Sequence, residues 1–137
     1  MEMQAQLQWV KDWQFVARAG DGPAVVIDGK QPRSGPSPME TVLMGVAACT
    51  AIDVILVMEK KRINVTDFQV NIAGERADDH PRRYTHIRIE YVFTGTGISE
   101  SAVERAIQLS GEKYCSAIGS LNATFEHSYR IVDANAA

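Results

Sequence analysis

The sequence predicts an α+β fold in the order β-β-β-α-β-β-α-β, with one long buried helix at its centre. Three observations predict it. Runs that alternate apolar and polar residues come in blocks, not interleaved with helices. Between Val42 and Met58 the only charged residue is Asp53. A shorter amphipathic segment follows Ser99 and is itself followed by a final alternating run. Strands and helices segregated along the chain define the α+β class. A length of 137 residues suits a single domain spanning 1–137.

Taken in order, Ala5, Leu7 and Trp9 alternate with glutamines, and Trp13, Phe15 and Ala17 alternate with Gln14 and Val16. These predict two strands joined near Lys11-Asp12. Ala24-Val25-Val26-Ile27, set between Gly- and Pro-rich turns, predicts a third. Ser37-Pro38-Met39-Glu40 is a helix start: a serine cap, proline at the first helical position, and a glutamate placed to complete a capping box. The apolar run that follows is short of the ~20 residues a membrane span needs, and Asp53 falls within it. A helix apolar on every side is buried on every side. A domain this small has little interior to offer, so the helix itself implies a second subunit around it. Phe68, Val70 and Ile72, then Ile87, Ile89, Tyr91 and Phe93, predict a long antiparallel hairpin with one wet face. Ser99 caps a second helix, with Val103, Ala106, Ile107 and Ser110 as its inner stripe, ending near Gly111 or Tyr114. Phe125, His127, Tyr129 and Ile131 form the last strand.

Composition narrows the function. The net charge is -3, and the densest cationic run, Lys60-Lys61-Arg62, sits at a helix end where cations offset the dipole. Neither a nucleic-acid partner nor a membrane partner is expected. The first residues carry no apolar secretory segment, so a cytoplasmic, reducing location is expected. There Cys49 and Cys115 are less suited to stapling than in a secreted chain, which leaves buried filler or chemistry. No cofactor is expected: there is no phosphate-cradling loop, and Gly95-Thr96-Gly97 reads as a turn. His80, His86 and His127 lack metal-ligand spacing, so no metal is expected.

Taken singly, Cys49 and Cys115 read as small buried residues. Asp53 lies one turn beyond Cys49 on the same face, and a carboxylate there disfavours a thiolate, so activation needs a cation from elsewhere. The arginines of the N-terminal region are Arg18 and Arg33.

Ser37-Pro38-Met39-Glu40-Thr41-Val42-Leu43-Met44, the small residues after it, and Cys49-Thr50-Ala51 resemble the central helix of OsmC/Ohr proteins. Lys113-Tyr114-Cys115-Ser116 resembles the segment that holds that family's second cysteine, and the element order matches along nearly the whole chain. The resemblance is to the OsmC-like branch. It implies an intertwined homodimer with the long helices central, and a thiol site that reduces organic hydroperoxides. By that resemblance Cys49 attacks and becomes a sulfenic acid, Cys115 condenses with it to a disulfide, and an external dithiol reductant restores both. Arg18 is the expected activating cation and Glu40 the carboxylate that holds it. The family's glutamate directly follows the proline, where this chain has Met39. Glu40 lies one residue on, about 100° around a helix. That departure motivates a second reading: a weakly catalytic or non-catalytic module that binds an apolar small molecule in the dimer cleft.

Overall fold

A computed structural model describes residues 1–135. Its contacts divide the chain into two compact units, Met1–Val42 and the remainder from Leu43 onward.

In the first unit, β1 (Ala5–Lys11), β2 (Gln14–Ala19) and β3 (Ala24–Asp28) form an antiparallel meander in that order. The β1–β2 connection places Asp12 at φ 46°, a left-handed conformation that aspartate tolerates. The β2–β3 turn places Gly22 at φ 112°, where only glycine is at ease. The loop after β3 is closed by Asp28, whose carboxylate accepts from the amides of Lys30 and Ser34 (both 3.1 Å) and from the Ser34 hydroxyl (2.9 Å). These bonds hold the Asp28 carboxyl below its ordinary range.

α1 (Pro38–Lys60) starts as the sequence predicts. The Ser37 amide donates to Glu40 Oε1 (2.9 Å), and the Glu40 amide donates to Ser37 Oγ (3.2 Å), so both halves of the capping box form. Within one chain its buried residues are Val46, Thr50, Val54 and Met58, a single stripe at fourfold spacing, whereas Met44, Ile52 and Leu56 are exposed. The expected all-round burial is thus reached on one side only by this chain's own residues. By length and composition α1 could cross a bilayer, yet Thr50 and Asp53 are tied by hydrogen bonds to Ser110.

The second unit holds β4 (Val65–Arg76), β5 (Tyr84–Gly95) and β6 (Thr124–Asp133), in that order. β4 and β5 are the predicted antiparallel hairpin; β6 lies parallel to β5. A parallel neighbour requires a crossover, and the segment carrying α2 (Glu100–Leu109) provides it. Ser99 caps α2 by accepting from the Ala102 amide (3.4 Å). β5 is flanked on both sides and buries Ile87, Ile89, Tyr91 and Phe93, while α2 buries Val103, Ala106 and Ile107. Each such large side chain removed from water contributes roughly 1.5–3 kcal/mol. Phe68 of β4 stacks on Phe93 with ring centres 4.8 Å apart.

Candidate functional site

The site is built where α1 meets the far end of α2. Thr50 lies on the buried stripe of α1, so Cys49, the residue before it, flanks that stripe and is half-buried. α2 does not end at Leu109 but widens into a π-helical turn, Ser110–Tyr114. The turn is closed by the Cys115 amide, which donates to the Ser110 carbonyl (2.8 Å). Such turns recur at functional sites because they rotate the following residues off the helical register. Cys115 then caps a short helix, α3 (Ser116–Ser120), its Sγ accepting from the Ile118 amide (3.5 Å).

Two thiols far apart in sequence thereby meet. Both are free, and Cys49 stands near enough to act electrostatically on the Cys115 thiol. Burial pushes the Cys115 thiol up to about 11; the neighbouring Cys49 pushes the same way, against the amides of Ile118 and Ala117. Cys115 therefore keeps its proton near neutral pH.

Beside the pair runs a chain of polar groups, buried at Thr50, Tyr91 and Ser110 and half-buried at its Asp53 and His127 ends, that no motif in the sequence marks. Asp53 Oδ2 meets Ser110 Oγ (3.0 Å), Ser110 Oγ meets Thr50 Oγ1 (2.7 Å), Thr50 Oγ1 meets Tyr91 OH (2.8 Å), and Tyr91 OH meets His127 Nδ1 (3.1 Å). Asp53, expected only as a charge unfavourable to Cys49, is engaged by Ser110. Burial, aided by the nearby Cys115 and Asp53, pushes Tyr91 up to about 12. Burial lowers His127 from its ordinary value. The one available signal was Ser110 itself, a hydroxyl on the inner stripe of α2 that needs a partner.

The remaining expected residues lie in the first unit. Arg18, exposed at the end of β2, donates to the Gly22 carbonyl (3.1 Å). Glu40 forms its ion pair with Arg33. The amide of Ser37, then Arg33, hold the Glu40 carboxyl down at about 2. The arginine that Glu40 holds is thus Arg33, which the Asp28-closed loop delivers to the start of α1. Met39, at the position of the family's glutamate, offers no carboxylate.

An α+β fold whose central helix and second-helix turn bring two free cysteines together defines a class of small two-thiol proteins. The chain belongs to the OsmC-like protein family, whose sequence profile matches residues 29–129. It is similar to protein YhfA of Escherichia coli K12, with 40% identity over 134 residues, 96% of this chain and all of that protein. Its fold is similar to an OsmC-like protein from Mycoplasma pneumoniae, at TM-score 0.82 and 18% identity over 96% of this chain and 98% of that one. It is also similar in fold to the organic hydroperoxide resistance protein OhrB of Bacillus subtilis, at TM-score 0.63 and 14% identity over 95% and 98% of the two chains.

Proposed function

We propose that the protein reduces organic hydroperoxides with its two thiols, in defence against peroxide stress in the cytoplasm. The Cys49 thiolate attacks the distal peroxide oxygen. The O–O bond breaks, the alkoxide takes up a proton and leaves as the alcohol, and Cys49 becomes a sulfenic acid. The Cys115 sulfur then attacks the Cys49 sulfur. Its thiol proton joins the departing hydroxide as water, and a disulfide forms. An external dithiol reductant returns both thiols by exchange and is itself oxidised to a disulfide. The observation that carries this reading is the neighbouring pair of free thiols, Cys49 half-buried and Cys115 buried and holding its proton.

The protein acts here as a homodimer. This is supported by the exposed Met44, Ile52 and Leu56 of α1, which a second copy would cover. An apolar lining of that kind suits an organic hydroperoxide better than hydrogen peroxide. The reading assigns Arg18 as the cation that activates Cys49 and Glu40 as its carboxylate. Arg33, the observed partner of Glu40, competes for that role. Met39 favours the second reading, a module that binds an apolar molecule with little turnover.

Steady-state reduction of cumene hydroperoxide with a dithiol donor separates the two readings. Turnover in the wild type that vanishes in Cys49→Ser supports the peroxidase. A wild type that turns over no organic hydroperoxide with any dithiol defeats it. Loss of rate in Arg33→Ala but not in Arg18→Ala would move the activating role to Arg33.

A further inference from the structure

The polar chain from Asp53 to His127 has a direction, and that direction reaches a second site. A carboxylate can only accept, so Ser110 donates its single hydroxyl hydrogen to Asp53 (3.0 Å); the competing Thr50 carbonyl is farther, at 3.5 Å. Ser110 must then accept from Thr50, Thr50 from Tyr91, and Tyr91 from Nδ1–H of His127. His127 is thereby fixed as the tautomer with hydrogen on Nδ1 and a bare lone pair on Nε2. That nitrogen faces Gly111: a Cβ there would stand 3.1 Å from Nε2. The glycine leaves the lone pair open to a cavity of about 460 Å³ between α2, the π-helical turn, α3 and β6.

The lining of that cavity is chemically one-sided. Ile107, Ile118 and Phe125 supply apolar walls. Among the described residues that line it, the carboxylates are Glu104 and Glu112, and there is no lysine or arginine. Tyr129 donates to Glu104 (2.7 Å), which fixes that carboxylate and pushes the Tyr129 phenol up to about 12. Two carboxylates and an imidazole lone pair are all acceptors. A matching ligand is rich in donors, positively charged and partly apolar. A volume of this size is ordinary for a small-molecule site.

We propose that this cavity is a binding site for an amphipathic organic cation, its ammonium group held by Glu104, Glu112 and Nε2 of His127 and its apolar body by Ile107, Ile118 and Phe125. The site uses neither thiol and is separate from the peroxide chemistry. Burial keeps His127 neutral and able to accept near neutral pH, consistent with that role.

The test is nuclear magnetic resonance on the full-length protein near neutral pH, in wild type and in Cys49→Ser. Long-range ¹⁵N–¹H correlations are expected to show His127 protonated at Nδ1 only. Titration with octylammonium below its micelle concentration is expected to shift Nε2 saturably, alike in both proteins, with octanoate and octanol giving no such shift. The Glu104→Gln/Glu112→Gln variant, altered only at exposed positions, is expected to bind octylammonium about tenfold more weakly. A proton on Nε2 in the free protein, octanol or octanoate binding as tightly as octylammonium, or unchanged affinity in the double variant would each overturn the proposal.

Discussion

β1 and β5 carry the same kind of alternating pattern and end in opposite environments. Along β5, Ile87, Ile89, Tyr91 and Phe93 are all but fully buried, on the face where Thr50 of α1 reaches Tyr91 within the same unit. Every residue of β1 is exposed, with Leu7 at 59% and Trp9 at 60%, and Trp13 and Val25 are similar. Alternation marks a face meant to be covered, but it does not say by what. In the later unit the chain covers its own face. In the first unit the aromatic face is left to something else, and a second copy of the chain is the cover that the homodimer reading supplies.

Several experiments sharpen or break that contrast, beginning with the largest effect. The chemistry should collapse in Cys49→Ser, whereas Cys115→Ser should still consume one equivalent of hydroperoxide and stop at the sulfenic acid. Trapping that acid with a dimedone probe checks it. Next in size is the uncovered face. Trp9→Glu should weaken self-association by about 2–4 kcal/mol, the range of a central aromatic anchor, and sedimentation equilibrium should show monomer where the wild type shows dimer. The same change should leave the core of the later unit intact, as read by near-ultraviolet circular dichroism.

Inside that core, Thr50→Val removes the group that joins Ser110 to Tyr91 and leaves both hydroxyls short of a partner. A loss of about 1–3 kcal/mol is expected in urea unfolding. At the start of α1, Ser37→Ala should cost about 1 kcal/mol through the lost cap. The smallest effect is a pH dependence. Glu40 titrates at about 2 when folded, below its ordinary value near 4.5. Its contribution is present above about 4.5 and is lost as pH falls toward 2. The stability gap between wild type and Glu40→Gln should therefore close in acid, as measured by urea midpoints across that range.

What the sequence made legible was local. The capping box at Ser37–Glu40 could be read because its partners are three residues apart. The strands could be read because their period is independent of context. The expected α+β order was met, and the two resembling cysteine segments pointed to the family. The parallel placement of β6 was harder to see, since its alternation looks the same beside either kind of neighbour. Arg33 became the partner of Glu40 because Asp28 folds the loop that carries it, a tertiary event with no periodic signature. The polar chain from Asp53 to His127 joins α1, the π-helical turn, β5 and β6, so no window of sequence contains it. His127 reads as one more strand residue, and only the register of β5 and β6 sets it opposite Ile89, diagonal to Tyr91 and within reach of its hydroxyl.

The account turns on Cys49 and Cys115 acting as one redox unit. One equivalent of an organic hydroperoxide is added to reduced protein, which is then alkylated, digested without reductant and weighed by mass spectrometry. A Cys49–Cys115 cross-linked peptide formed in stoichiometric yield is the predicted result. Two alkylated cysteines, or Cys49 driven to sulfinic acid with Cys115 still reduced, would contradict it.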